Sequence, residues 1–490
     1  MNINIYLKEK LKARNLEVED LIAKSGSSKS TIYRIMTGIQ KPSKKLSHKI
    51  IEILDLNYSE QQELLYYFSI SDVDENIIEA REAVYHLLFK NKTSLPNKVE
   101  LVYYDNEKYI RTFDDILKNV LEASHRKNFS CQFKLINCVL KDVITPLSSA
   151  IECLFINKKQ YTFDHLINFS TYDYKDNINI VTSVIPLLTL KNYRLKCREE
   201  EHISKHGFFH DFLILIYSYE DDDGNTQEMN LYITFLPNNL SACYVVNENK
   251  NNLLDFFERN YDSLDEGYQP VLSSRKTLAE YVGTTINLFR NNDIVRFKPQ
   301  VPFSKVPATL YKSISERTPL EELTQYFLQD KHKEKNLQAH IEELYLMAQQ
   351  LEASTYVNKH LDIYTKSGMV DFASTGLMND HLEFLPAFNK QEVRVILETI
   401  KKRDKNPKDP FNFLILKEPY ANNTLTFAVG VNRCLSVEKY TDRNTSFCFI
   451  ENKQLSAIFS DFAYHYVPAM MSISQEEAHD FIDYLIETYC

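Results

Sequence analysis

Three places in this 490-residue chain put reactive side chains at spacings that chemistry can use. The first is Lys29-Ser30-Thr31-Ile32-Tyr33-Arg34-Ile35. On a helix Ile32 and Ile35 share one side, so Lys29, Ser30, Tyr33 and Arg34 point elsewhere. Two cations, a hydroxyl and a phenol then form one polar reading face, suited to hydrogen bonding and to anionic partners. The second place is EHISKHGFFHD, where His202, His206 and His210 recur every four residues, a spacing at which helical imidazoles share a metal ion, with Glu201 and Asp211 beside them. Gly207-Phe208-Phe209 interrupts that face, so a helix-to-strand transition is the ordinary expectation; the histidines stay minor metal candidates and no cofactor is assigned. The third is the S-x-x-K of Ser273 to Lys276, the spacing of a serine–lysine dyad, with no cleavage or strand pattern to support it.

Little else invites catalysis. There is no P-loop, G-x-G-x-x-G, G-x-S-x-G or H-E-x-x-H motif, and nine glycines in the chain leave few backbone-built phosphate cradles. Glu220-Asp221-Asp222-Asp223-Gly224-Asn225 lacks the ligand spacing of a calcium loop and reads as a solvated hairpin turn. Eight scattered cysteines form no C-x-x-C pair, the pattern of reduced, buried thiols. An enzyme is not expected. Apolar runs such as Phe212 to Tyr217 fall far short of the roughly 18 residues needed to cross a bilayer. MNINIYLKEK lacks a secretion signal, so a cytoplasmic protein without a membrane partner is expected.

Charge is divided along the chain. The net charge is −10, yet residues 1–50 hold eleven Lys and Arg against four Asp and Glu, a net of +7, leaving −17 on the other 440. A basic head on an acidic body suits electrostatic contact with nucleic acid at the N-terminus.

The elements that must position the reading face follow from periodicity. Ile5, Leu7 and Leu11 mark a first helix and Val18 to Lys24 a second, which Ser25-Gly26 stops. Ser27 or Ser28 can cap a third helix over Lys29 to Met36, which Gly38 ends. Lys41-Pro42-Ser43 leads into a fourth with Leu46, Ile50, Ile53 and Leu54, and Ser59 to Ser69 forms a fifth.

LIAKSGSSKSTIYRIMTGIQKPS, Leu21 to Ser43, closely resembles the signature of XRE (Cro/C1-type) helix-turn-helix regulators: a leucine, a glycine five residues later, a Ser-started recognition helix, another glycine and a Lys-Pro-Ser exit. Ile22 replaces the family's usual alanine and Met36 a common acidic residue. The resemblance covers about one seventh of the chain. It implies a third helix in the DNA major groove, with Lys29, Ser30, Tyr33 and Arg34 reading bases, and Arg34 able to pair bidentately with guanine. Ser28, Lys41, Ser43 and Lys44 are implied as phosphate contacts.

Beyond this head, Glu75 to Lys90 reads as a helical linker and Asn91 to Lys98 as a break. Val99 to Tyr104 and Phe129 to Ile136 read as strands flanking a helix over Ile110 to Ala123. Strand signals dominate from Asp211, with a helix at Leu253 to Tyr261. They return in FNFLILKEP, TLTFAVGV, CLSVEKYT and TSFCFIEN, followed by helices at Gln454 to Tyr466 and Gln475 to Tyr489. Leu337, Ile341, Leu344, Ala348 and Leu351 form a coiled-coil seam two heptads long.

The expected fold is thus multidomain: an all-α five-helix head (1–70), a helical linker (71–96), an α+β sensor domain (97–312), a helical segment for dimerisation (313–356) and a C-terminal α+β domain (357–490), with the two α+β regions possible relatives. Segment Ile363 to Ile400 loosely resembles the C-terminal region of large, uncharacterised XRE-type regulators of low-GC Gram-positive bacteria. The expected function is a homodimeric transcription factor on a palindromic operator in double-stranded DNA, with a peptide or small molecule as possible effector. A passive oligomerisation platform and a DNA-tethered enzyme are the alternatives for the body.

Overall fold

The computed structural model describes residues 3–70, 73–90, 97–103, 110–170, 173–188, 190, 192–200, 211–235, 240–246, 259, 261, 268–270, 272–274, 292–317, 345–346, 349–350, 352–353, 355–378, 386–421, 425–441 and 444–490. It divides into two compact units, each gathered from separate stretches where the sequence suggested consecutive blocks. Unit 1 takes residues 1–89, 278–433 and 456–490, and unit 2 takes 90–277 and 434–455.

Five helices open unit 1: α1 (Ile3–Ala13), α2 (Val18–Ser25), α3 (Lys29–Met36), α4 (Lys44–Ile53) and α5 (Tyr58–Ser69). They close on one apolar core of Leu7, Leu21, Ile32, Ile35, Ile50 and Leu64. Each such side chain contributes about 1.5–3 kcal/mol when fully buried. Lys10 of α1 and Arg14 just beyond it both reach Glu60 at 2.7 Å, bracing the first helix on the fifth. Met36 is buried in this core, and Ile22 packs at its rim.

The stretch expected as a linker helix is α6 (Glu75–Phe89), and it is packed rather than free: Ala80, Arg81, Val84 and Leu88 are buried. Arg81 donates from Nε to Asp461 at 2.6 Å, from Nη2 to the same carboxylate at 3.0 Å, and from Nη1 to the Tyr66 hydroxyl at 3.2 Å. This three-way contact joins α5, α6 and a segment 380 residues away. Arg81→Met keeps the stem and removes the donors, leaving Tyr66 without its partner and Asp461 with only His465 at 3.8 Å, at a cost of about 2 kcal/mol or more. We expect α5 and α6 amides to exchange at least tenfold faster, while Lys390–Asp404 is unchanged; equal exchange would mean the contact carries no stability.

Unit 2 begins with β1 (Glu100–Tyr103), β2 (Ile110–Thr112) and α7 (Phe113–Ala123). The helix expected from Ile110 starts later because Thr112 caps it, its hydroxyl accepting from Asp115 N, while Ile110–Thr112 pairs with β1. There follow β3 (Lys127–Ile136), α8 (Lys141–Ile156), β4 (Gln160–Ser170), α9 (Tyr174–Leu188), β5 (Tyr193–Glu200), β6 (Phe212–Glu220), β7 (Thr226–Phe235), β8 (Leu240–Val246), β9 (Gln269–Pro270) and β10 (Leu272–Ser274). The first nine strands form a sheet in the order β2-β1-β8-β7-β6-β3-β4-β5-β9. Strands β3, β4 and β5 are parallel, joined by the crossover helices α8 and α9, and β6 lies antiparallel on the other side of β3.

On β4 of that sheet His165 is fully buried, its Nδ1 2.9 Å from the Tyr193 hydroxyl. Burial holds its pKa down to about 3. Between about pH 6.5 and 3 the unfolded chain therefore binds a proton that the folded one refuses, so stability falls as pH falls through that window, by up to about 1.4 kcal/mol per pH unit. His165→Phe is expected to flatten that part of the acid limb in urea titrations; an unchanged slope would place the acid sensitivity elsewhere.

The chain returns to unit 1 with β11 (Ile294–Phe297), a 3-10 turn (Phe303–Lys305), α10 (Ala308–Glu316), β12 (His360–Thr365), α11 (Lys366–Thr375), α12 (Lys390–Asp404), β13 (Phe411–Leu416) and β14 (Leu425–Gly430). Here too three strands are parallel, β11, β12 and β13, and the fourth, β14, lies antiparallel on the other side of β11. The order β14-β11-β12-β13 repeats β6-β3-β4-β5 of unit 2, so the two α+β regions share a four-strand plan. Unit 2 then gains the hairpin β15 (Cys434–Thr441) and β16 (Asn444–Ile450), with β10 pairing β16. The chain ends with α13 (Lys453–Asp461), a π-helix (Phe462–Met471) and α14 (Gln475–Tyr489). A single helix was expected over Gln454 to Tyr466; the structure widens it to π geometry at Phe462.

Within unit 1 the π-helix carries the five-helix head. Tyr466 meets the Tyr66 ring edge-on at 5.4 Å, and Met470 packs on the head's core. On its other side Phe462 lies 6.1 Å from Phe297 of β11. A continuous set of ring contacts thus runs from sheet to head. Among the described residues no helix is long and apolar enough to cross a membrane.

Candidate nucleic-acid interface

The turn between α2 and α3 is built locally. Gly26 ends α2 at φ +67°, a left-handed conformation that glycine adopts without a Cβ clash. Two residues on, Ser28 caps α3, its hydroxyl accepting from Thr31 N at 3.1 Å. Lys49 of α4 donates to Ser25 O at 3.1 Å and ties the turn to the next helix. Ser43 caps α4 in the same way, accepting from Leu46 N at 3.3 Å.

With both ends of the turn held, α3 has two faces. Ile32, Ile35 and Met36 are buried, whereas Lys29, Ser30, Tyr33 and Arg34 are exposed. Lys29 Nζ lies 5.7 Å from the centre of the Tyr33 ring, so the two side chains rest on each other above the helix. The four residues are thus brought to one open surface. At the helix exit, the Ile39 and Gln40 amides both donate to Arg34 O, fixing the backbone beneath the guanidinium.

Ser28, Lys41, Ser43 and Lys44 flank that surface and are all exposed. The two serines are helix caps, so their hydroxyl oxygens are already engaged. What they leave open is the first-turn N–H groups of α3 and α4, donors that suit phosphate oxygens. Lys41 and Lys44 supply charge beside them.

The other sequence candidates fall elsewhere. His202, His206 and His210 lie outside the described residues, as do Lys276 and the seam residues Leu337, Ile341, Leu344, Ala348 and Leu351. No group of three or more His, Cys, Asp or Glu is placed to hold a metal ion among the described residues. The acidic stretch at Asp221 is the turn of the β6–β7 hairpin, closed by Asp221 N donating to Asn225 O at 2.9 Å, with Gly224 at φ +82°.

One buried ionic centre had no sequence signal. On the unit 1 sheet Asp362 lies 3.7 Å from both Arg296 and Lys305, and the Tyr364 hydroxyl donates to it at 2.9 Å. Burial brings the Lys305 ammonium down to about 7. Register makes Arg296 and Asp362 neighbours across β11 and β12, a pairing that only strand order reveals.

A family model described as Helix-turn-helix matches residues 7–61, from within α1 to the first turn of α5. No match to the chain was found among curated proteins or solved structures.

Proposed function

From the helix-turn-helix domain at its N-terminus, we propose that the protein is a sequence-specific DNA-binding transcriptional regulator acting as a homodimer in the cytoplasm. The observation that carries this is the open polar face of α3, Lys29, Ser30, Tyr33 and Arg34, over a fully packed hydrophobic underside. Lys29, Ser30 and Arg34 read base edges, Tyr33 contacts a thymine methyl or phosphate, and the N-termini of α3 and α4 with Lys41 and Lys44 hold the backbone.

Dimerisation follows from coverage. One such domain spans too few base pairs for genomic selectivity, and two on a palindrome multiply the discrimination. The α+β body is then the part that assembles the pair and senses a peptide or small molecule, not a catalytic domain. Its ring contacts with α5 through the π-helix are the physical means by which a change in unit 1 would move the head.

The test is selection of bound duplexes from a random library with the full-length protein. Enrichment of a two-fold symmetric motif supports the proposal. No enriched motif would withdraw sequence-specific reading, and an asymmetric motif would withdraw the paired half-sites.

A further inference from the structure

Helices α12 and α14 lie side by side in unit 1 and run antiparallel. Lys401 meets Asp483, His479 Nε2 lies 2.7 Å from Asp404, and Arg394 faces the final residue, Cys490. Their net charges are opposite in sign. α14 contains Glu476, Glu477, Asp480, Asp483 and Glu487 and no Lys or Arg, while α12 and its exit carry Lys390, Arg394, Lys401, Lys402, Arg403 and Lys405 against Glu392, Glu398 and Asp404. Between them runs an open groove with Arg394, Glu398, Lys402 and Lys405 on one wall, Asp483 and Glu487 on the other, and Ile486 in its lining.

Neutralisation within one chain is incomplete. Lys401–Asp483 joins the two helices, but among the described residues Lys402, Lys405, Asp480 and Glu487 are exposed and enter no ion pair. Beside the acidic wall, Phe481 and Tyr484 stack at 6.3 Å, and the Tyr484 side of the pair is 51% exposed. A stacked aromatic pair rimmed by charge is the composition of an interface centre.

We propose that this face is the dimerisation surface and that a second copy of the chain occupies it. A two-fold axis along the groove sets α12 of each copy over α14 of the other, so that basic meets acidic twice; a surface of a single sign would repel its own copy. Nucleic acid is the wrong partner, because the acidic wall of α14 repels a polyanion. The charges set register and exclude other registers, and the aromatic pair supplies the desolvated contact. This deepens the dimeric part of the proposed function and rests on it.

Sedimentation equilibrium of the full-length protein without DNA tests the surface. Lys402→Glu/Lys405→Glu should weaken the dimer at least tenfold, and Asp480→Lys/Glu487→Lys should do the same. The fourfold variant combining them should return to within about threefold of the parent, because the swap restores opposite signs across the axis. All four positions are exposed, so unchanged melting identifies loss of association as distinct from loss of fold. A parent that stays monomeric, a dimer indifferent to both reversals, or losses that the swap does not recover would each overturn the surface. The outcome is separable from DNA reading, since binding to a single half-site does not need the dimer.

Discussion

Replacing Lys29 and Arg34 with alanine should abolish sequence-specific DNA binding while leaving the domain folded. Both side chains are exposed, and neither enters the core that Ile32 and Ile35 anchor. Alanine is at least as good a helix former as either, so α3 should persist. A good bidentate base contact is worth about 1–3 kcal/mol of discrimination, so losing two reading side chains per head should lower specific affinity by roughly 100-fold or more. Non-specific binding should fall far less, since Lys41, Lys44 and the helix N-termini remain. Competition titrations on an enriched duplex, with random DNA as competitor, measure both quantities. Equal losses on both DNAs would mean that Lys29 and Arg34 only supply charge; no loss on either would move the reading surface away from α3.

The largest effect on stability is expected from Gly376→Ala. Gly376 ends α11 at φ +70°, where its amide donates to Phe372 O at 2.8 Å and its carbonyl accepts from Phe388 N at 2.9 Å. A Cβ at this position would lie 2.0 Å from Phe388 O and 3.0 Å from Phe388 C and N. Those atoms are all backbone, and Phe388 directly precedes Asn389, the cap of α12, so the chain cannot retreat without shifting that helix. Gly26 is the internal control: its φ is +67°, yet an added Cβ meets nothing within 4 Å. Gly26→Ala should therefore cost only the conformational penalty, about 1 kcal/mol, and Gly376→Ala at least about 3 kcal/mol. By scanning calorimetry that is a drop of about 5 °C or more in the Tm of the transition containing unit 1. Equal costs for the two variants would remove the close approach at Phe388 as the cause.

The head was legible because its instructions are local. Ser28 caps a helix three residues away, Gly26 turns the chain where it stands, and Ile32 and Ile35 share a face by helical geometry alone. The body was legible mainly where strands are joined by hairpins, as at the Asp221–Asn225 turn. Its parallel strands β4 and β12 were not marked by residue type; β12 is buried at every position, polar His360 and Asp362 included, so polarity along it does not report which positions face the core. The same cause hid the recurring four-strand order, which strand pairing displays and residue identity does not.

The sequence by itself determined the helix-turn-helix, its polar reading face and the basic head on an acidic chain, because caps, turn glycines and helical spacing act over three or four residues. Tertiary structure alone decided what the head is built upon. Arg81 finds Asp461 across 380 residues, Asp362 sits between Arg296 and Lys305, and α12 lies against α14 through Lys401 and Asp483. Such pairings depend on which strands and helices the chain brings together from distant stretches. No short window of residues carries that information, because the free energy that selects the partner comes from burying whole faces of sheet and helix at once.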